Sequence, residues 1–322
     1  MKLFKLSLII ILGLFGILFI NFDSKFNLEE DLVIDIKKGM SMHDISNLLK
    51  SNNLLYSTFL LNQYSKFLGK STQIKTGEYQ VTKNDSILKL VDKLSKGEVY
   101  YRSVRFKEGI TFYELIEELS KLEGIVNDLG SNPRLLIKEL TGSKYSTLEG
   151  IFSADTFFYK KGDSISDLLI RAYEQQEKEL NVLWKNRMLG LPYKSIEQAL
   201  TMASIIEKEG IEKKRIAGVF INRLNTKMRL QSDPTVIYSL GNNFDGNIKK
   251  NDLAFKHPYN TYVIKGLPPG PISLVTLDSI KAALQPELSN YFYFVSRGDG
   301  THQFSATLEE HNQAVRQYQL LK

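Results

Sequence analysis

Cysteine is absent from the 322 residues. Its absence excludes a disulfide framework, a thiolate nucleophile, Cys-ligated zinc, an iron–sulfur cluster and a lipid-modified cysteine anchor. Histidine is scarce: His43, His257, His302 and His311 are the whole supply, so histidine-based mechanisms have few seats. His302 and His311 stand too alone to suggest a metal site, and none is expected. No GxSxG elbow, HExxH helix, P-loop or GxGxxG turn is present, which removes the common hydrolase, metalloprotease and nucleotide-binding signatures. The formal charge of +6 is modest, and without an RNA-binding signature it argues against nucleic acid as a partner. What remains is ordinary globular composition, 43% hydrophobic and 24% charged, enough for one large domain or two smaller ones and incompatible with disorder over the whole length.

The amino terminus carries the first strong feature. Residues 6–22 are uncharged, with Lys2 and Lys5 before them and Asp23 after. Such a run reaches the lower limit of about 17 residues for a transmembrane helix. The flanking charges keep the short end in the cytoplasm and send the bulk of the chain across the cytoplasmic membrane. A cleaved signal peptide is the rival reading, but it needs a small-residue cleavage site, and no alanine precedes Ala154. An uncleaved anchor over 1–25 is therefore expected, followed by a short linker from Phe26 to Asp31.

A small unit then recurs. VIDIKKGMSMHDISNLLKSNNLL, YQVTKNDSILKLVDKL and VRFKEGITFYELIEELSKL each join a short strand, a turn and a Ser or Thr (Ser41, Ser86, Thr111) to an amphipathic helix. The hydroxyl is placed to accept from first-turn amides, and apolar residues at i, i+4 and i+8 bury one face. The pattern resembles LysM-type glycan-binding modules for its first two copies, and a plain βα scaffold without a ligand satisfies it equally. A strand–helix repeat portion over 30–123 is expected. The turn-rich stretch from Gly124 to Ser146, with a helix near Arg134–Leu140, leads into a second region over 146–322.

That second region holds the chemistry. LEGIFSADTFFYKKGDS sets Glu149 and Asp155 beside aromatic residues, to line a cleft or cap a helix. Helices are expected over about 164–185 and 195–210. On a wheel with Leu200 at zero, Ile205, Met202, Ile206, Ala199 and Ala203 occupy an arc from about 140° to 300°. Glu209 falls at about 180°, inside that arc, and Glu207 at about 340°, off its edge. An acid on an apolar face is disfavoured as a carboxylate, so its pKa rises toward the range of a general acid; the competing reading is a solvated residue at a frayed helix end. Gln231 and Asp233 precede Pro234, and Tyr259, Asn260, Thr261 and Tyr262 precede a Pro/Gly-rich turn. Neutral hydrogen-bonding groups among tyrosines suit a carbohydrate surface; a half-exposed strand ending in a turn reads the same way. A hairpin is expected around Gly298–Gly300.

LEGxFxxDTxxY, ASIIEKEG, VFINRL, MRLQSDPTVIYSLG, YNTYVIKGLPPGPI and YFYFVSRGDGTHQFSATLEEHNQAV, in that order, resemble the endolytic murein transglycosylase family, the MltG or YceG-like proteins. The likeness covers nearly the whole chain. One departure is Ala154, where the family usually has proline; no chemical group is lost with it. The resemblance implies an α+β protein with an N-terminal transmembrane helix, a LysM-like βα subdomain and a mixed α+β catalytic domain. It implies cleavage of MurNAc–GlcNAc β-1,4 bonds within peptidoglycan glycan strands outside the cytoplasmic membrane, 1,6-anhydro product ends, and association with peptidoglycan synthases in ending nascent strands. The family's catalytic acid corresponds to Glu209, with Glu207 the runner-up. Glu149, Asp155, Gln231, Asp233, Tyr259, Asn260, Thr261 and Tyr262 are the candidates for holding the strand, and no cofactor is required. A hydrolytic muramidase using Asp233 or Asp155 as second carboxylate, and a glycan-binding scaffold without activity, are the alternatives.

Overall fold

The computed structural model describes residues 22–320. The chain is a mixed α+β protein that divides into two compact units. Unit 1 runs to Arg102 and takes in Phe158–Lys161; unit 2 comprises Ser103–Phe157 and everything from Gly162 onward. The uncharged run expected to be an anchor lies, up to residue 21, outside the described residues. Among the described residues no helix is long and apolar enough to cross a membrane.

Unit 1 holds β1 (Leu32–Ile36), α1 (Met42–Ser51), α2 (Thr58–Phe67), β2 (Gly77–Val81) and α3 (Ile87–Lys96). The first two sequence repeats are not separate modules. Strand β1 pairs antiparallel with β2, Leu32 opposite Val81 and Ile36 opposite Gly77, so one repeat supplies each strand of a single sheet. Alternation sends Ile34 and Ile36 inward, where they join Ile45, Leu49, Leu61, Tyr79, Leu90 and Leu94 in one core. The expected caps form: Ser41 accepts from Asp44 N and Ser86 from Lys89 N. Helix α2, capped by Ser57, was not anticipated. Its TFLLNQYSKF run has a weak stripe, with only Leu61 and Ser65 fully buried. Nor does the stretch from Phe26 begin as a free linker, because Phe26 N donates to Asp85 O at 2.9 Å. Asp85 is itself fully buried and clamped by Lys89 at 2.8 Å and Lys93 at 2.6 Å. Burial opposes its charge, but those cations and the Thr82 amide outweigh it and hold the carboxyl far below its usual range.

The boundary falls within β3 (Arg102–Arg105) and β4 (Thr156–Tyr159), so the third repeat belongs to unit 2. There Thr111 caps α4 (Phe112–Ser120) in a reciprocal box with Glu114. Helices α5 (Pro133–Thr141) and α6 (Ile165–Lys185) come next. The centre of unit 2 is α7 (Ile196–Glu209), buried without interruption from Ala199 to Ile206. It packs against α8 (Lys213–Asn225), α9 (Asp233–Leu240) and α11 (Leu277–Leu284), with the short α10 (Lys250–Leu253) beside α9. Small residues set the spacing: Ala282 and Ala283 of α11 are buried, and a Cβ on Gly218 of α8 would lie 2.2 Å from Glu287 O. The expected hairpin forms from β5 (Tyr293–Ser296) and β6 (His302–Ser305), with Phe294 opposite Phe304, and runs into α12 (Leu308–Val315). Asn222 and Arg223, at the end of α8, donate to the carbonyls of Ser289, Tyr291 and Phe292 and so fasten that hairpin to the core.

Candidate active site

The last turn of α7 delivers Glu209 to a cleft of about 420 Å³ lined also by Arg223, Gln231, Asp233, Tyr262, Tyr293 and His311. The next residue fixes the place of Glu209. Gly210 continues in extended backbone, and a Cβ there would lie 2.7 Å from His302 Cε1; only glycine lets the hairpin close over the helix end. His302 is held in turn by Glu212, which accepts from its amide at 2.6 Å and lies 3.2 Å from its Nδ1.

On the other side, Ser232 is the N-cap residue of α9 yet makes no cap bond. Its hydroxyl donates instead to Glu209 Oε1. The turn that aims it there is strained: Gln231 sits at φ +50°, a left-handed conformation costing about 1 kcal/mol or more for a residue with a Cβ. Thr261 imposes it, accepting from Gln231 N through its carbonyl at 3.3 Å and from Ser232 N through its hydroxyl at 2.9 Å. Thr235 completes this buried hydroxyl network, 2.8 Å from Thr261 Oγ1 and donating to Ser232 O at 2.6 Å.

The carboxyl of Glu209 is pushed up to about 7. Burial is the main cause; the Ser232 hydrogen bond pulls downward, the Asp233 carboxylate raises it further and the Arg223 guanidinium opposes. A group with that value near neutral pH is protonated often enough to donate and basic enough to accept. Arg223 is buried, its Nε on Phe292 O at 2.7 Å and its Nη1 on Leu230 O. Asp233 accepts from Tyr262 OH at 2.6 Å, and burial, then the neighbouring Asp233, raises the Tyr262 phenol. His311 stacks on Tyr293 at 5.1 Å; burial and then Arg223 lower its pKa, which keeps the ring neutral.

Glu207, on the opposite side of the same turn, is placed differently from the wheel's expectation of an edge position. Its side chain is 5% exposed. Lys213 lies 2.7 Å away, and Thr276 N, Thr276 Oγ1 and Ser279 Oγ donate at 2.8, 2.6 and 2.6 Å. Burial would raise its pKa, but these donors outweigh burial and lower it. Glu207 thus fastens the start of α11 to α7.

The other sequence candidates scatter. Gln231, Asp233 and Tyr262 meet Glu209 in the cleft. Glu149 and Tyr259 line a second cavity of about 730 Å³ across α9. Asn260 and Thr261 are fully buried. The Asn260 amide donates to the carbonyls of Asp252, Leu253 and Phe255, and residues 259–262 form turns, with no strand; these two side chains shape the loop and do not reach a ligand. Asp155 is exposed beside α6, accepting from Thr156 N and Gln175 Nε2 at 2.7 and 2.9 Å, and lines neither cavity. Ser232, Arg223, Tyr293 and His311 carry no signal of their own in the sequence; only their place inside the long motifs marks them. Among the described residues no group of three His, Asp or Glu side chains gathers as metal ligands.

A family model described as YceG-like matches residues 34–317. A Bacillus subtilis protein named endolytic murein transglycosylase is 33% identical over 305 residues, covering 88% of this chain and 84% of that protein. One of the same name from Streptococcus pneumoniae R6 is 26% identical over 333 residues, 91% of this chain but 59% of its own length. A crystal structure of a yceG-like protein from Listeria monocytogenes superposes with a TM-score of 0.56 at 30% identity, covering 89% of this chain and 99% of that one.

Proposed function

The chain belongs to the YceG-like family, and from that premise we propose that it is an endolytic lytic transglycosylase acting on peptidoglycan glycan strands, with Glu209 as its acid and base. The observation that carries the reading is the Glu209 carboxyl in a polar cleft, raised by burial to about 7. Protonated Glu209 donates to the oxygen of the MurNAc–GlcNAc β-1,4 bond as the bond from MurNAc C1 to that oxygen breaks. The charge left on C1 is oxocarbenium-like. The carboxylate then takes the proton of the MurNAc C6 hydroxyl as O6 bonds to C1, giving a 1,6-anhydro end. One carboxyl serves both halves, no water is consumed, and no step calls for a metal or an organic cofactor. Gln231, Asp233 and Tyr262 are the groups in reach of the sugars beside the scissile bond.

The reading extends to the rest of the chain. The uncharged run that begins at residue 6 serves as an uncleaved single-pass anchor in the cytoplasmic membrane, with the bulk outside; it ends before Phe22, whose ring packs on Tyr64 in the core of unit 1. The first two strand–helix repeats form a LysM-like glycan contact, and synthases of the wall are the partners whose nascent strands the enzyme ends.

Purified full-length protein in detergent, given unsubstituted glycan strands, is expected to release 1,6-anhydro ends detectable by mass spectrometry, and Glu209→Gln to release none. Reducing ends would establish a hydrolytic muramidase instead. Strand binding without any cleavage would leave a scaffold.

A further inference from the structure

Proton transfer at Glu209 leaves the larger cavity across α9 without a role. At about 730 Å³ it lies, like the cleft, within the range of about 300–1,000 Å³ usual for ligand sites. His257, Tyr259 and Tyr238 line it as part of an unbroken run of aromatic rings that Phe255 continues outside the cavity. Phe255 stacks on His257 at 5.8 Å and 10°, His257 meets Tyr259 at 5.9 Å, and Tyr259 meets Tyr238 at 4.8 Å. The run starts at the surface, where Phe255 is 43% exposed. It ends at the buried Glu149, 3.4 Å from Tyr238 OH. Across from it, the Arg134 guanidinium lies 4.8 Å over the Tyr113 ring and donates to that phenol at 3.1 Å. Glu149 is committed to the start of α4, accepting from Phe112 N at 2.7 Å with Arg134 Nη2 at 3.4 Å. Its carboxyl is raised by burial. The cavity thus presents ring faces and phenols along one side, with Glu114, Glu117, Arg134 and Lys208 as charged groups around it.

Flat aromatic faces interrupted by hydroxyls match a chain of pyranoses, whose ring faces are apolar and whose rims are polar. The two cavities share the first turn of α9: Asp233 lines the cleft and Pro234, the next residue, lines the second cavity. We propose that this second cavity holds further sugars of the same glycan strand whose scissile bond lies at Glu209, so that the strand crosses the first turn of α9 and length is read along the aromatic run. The inference rests on the reading of the Glu209 cleft as a glycan-cleaving site. It adds that the cut falls several sugars from the part of the strand held at Tyr259.

The test measures binding in the full-length Glu209→Gln protein, so that it does not depend on turnover. Fluorescent unsubstituted strands of two lengths are titrated, a tetrasaccharide and strands several times longer. Wild-type rings should favour the long strand. Adding Tyr259→Ala should weaken long-strand binding roughly three- to ten-fold, the range of one aromatic contact, and shrink the long-to-short ratio. Adding Phe255→Ala, at an exposed position with little risk to folding, should do the same more weakly. An unchanged ratio in both variants overturns the proposal. So does a loss confined to a parallel titration with strands that carry stem peptides, which would make the cavity a peptide site. If wild type cleaves nothing while the ratio still collapses, the enzymatic reading fails and the subsite stands.

Discussion

Two carboxylates stand two residues apart on the last turn of α7, about 200° around the helix from one another, and their surroundings pull them in opposite directions. The side of α7 facing α11 gives Glu207 a lysine, two hydroxyls and an amide. The cleft side gives Glu209 one hydroxyl, from Ser232. Burial alone would raise both. Where donors abound the carboxylate is fixed and its pKa falls; where they are withheld the neutral acid persists to about 7. The difference is between a brace and an acid: at Glu207 the donors outweigh burial, and at Glu209 burial outweighs its single hydroxyl donor.

The comparison breaks first, and by the largest margin, at Glu209. Glu209→Gln is expected to lower kcat by about 10²–10⁴-fold, the span of general acid–base catalysis, with an unchanged circular dichroism spectrum. A comparable loss from Glu207→Gln at equal folded fraction would reverse the assignment. Glu207→Gln should instead act on stability, lowering the free energy of unfolding by about 3 kcal/mol as Lys213 loses its buried partner. Because the folded pKa of Glu207 is depressed, the stability it contributes is present above its ordinary value of 4.5 and lost as pH falls through the folded value. Denaturant titrations of both proteins should therefore converge in strong acid.

Glu209 carries the opposite sign. With a folded value near 7 against 4.5 unfolded, it contributes stability below pH 4.5 that is lost as pH rises to about 7. Glu209→Gln should then be more stable than wild type by about 1–3 kcal/mol at pH 8, with the gap closing toward pH 4. Wild-type kcat/KM should decline above about pH 7 as the acid ionises. The smallest effect belongs to Ser232→Ala. Removing the hydroxyl that pulls Glu209 downward should carry that alkaline limb to higher pH at a cost of about two- to ten-fold in rate. No helix cap is lost, since Ser232 makes none. A limb that stays in place would show that Ser232 does not tune the acid.

Much of this was legible in the sequence wherever the signal is local. Ser41, Ser86 and Thr111 cap as their spacing predicts, the hairpin around Gly298–Gly300 forms, and the wheel of α7 turns Glu209 toward a partly buried site. What stayed hidden depends on pairing across distance. Helix α2 lacks a clear apolar stripe because unit 1 buries only part of its face. Strand β1 finds its partner in the next repeat, which no single repeat could disclose. Asn260 and Thr261 look like sugar-binding groups until their hydrogen bonds to Phe255 O and Ser232 N are seen. Glu207 looked peripheral because a wheel shows the helix's own face and omits Lys213 and Thr276 brought in by other elements.

The most direct measurement of the central claim is a carboxyl-carbon NMR titration of protein labelled at glutamate, with Glu209→Gln and Glu207→Gln assigning the two resonances. The account predicts a midpoint near 7 for Glu209 and one below 4.5 for Glu207. A Glu209 midpoint at or below 4.5, or the two values exchanged, would contradict it.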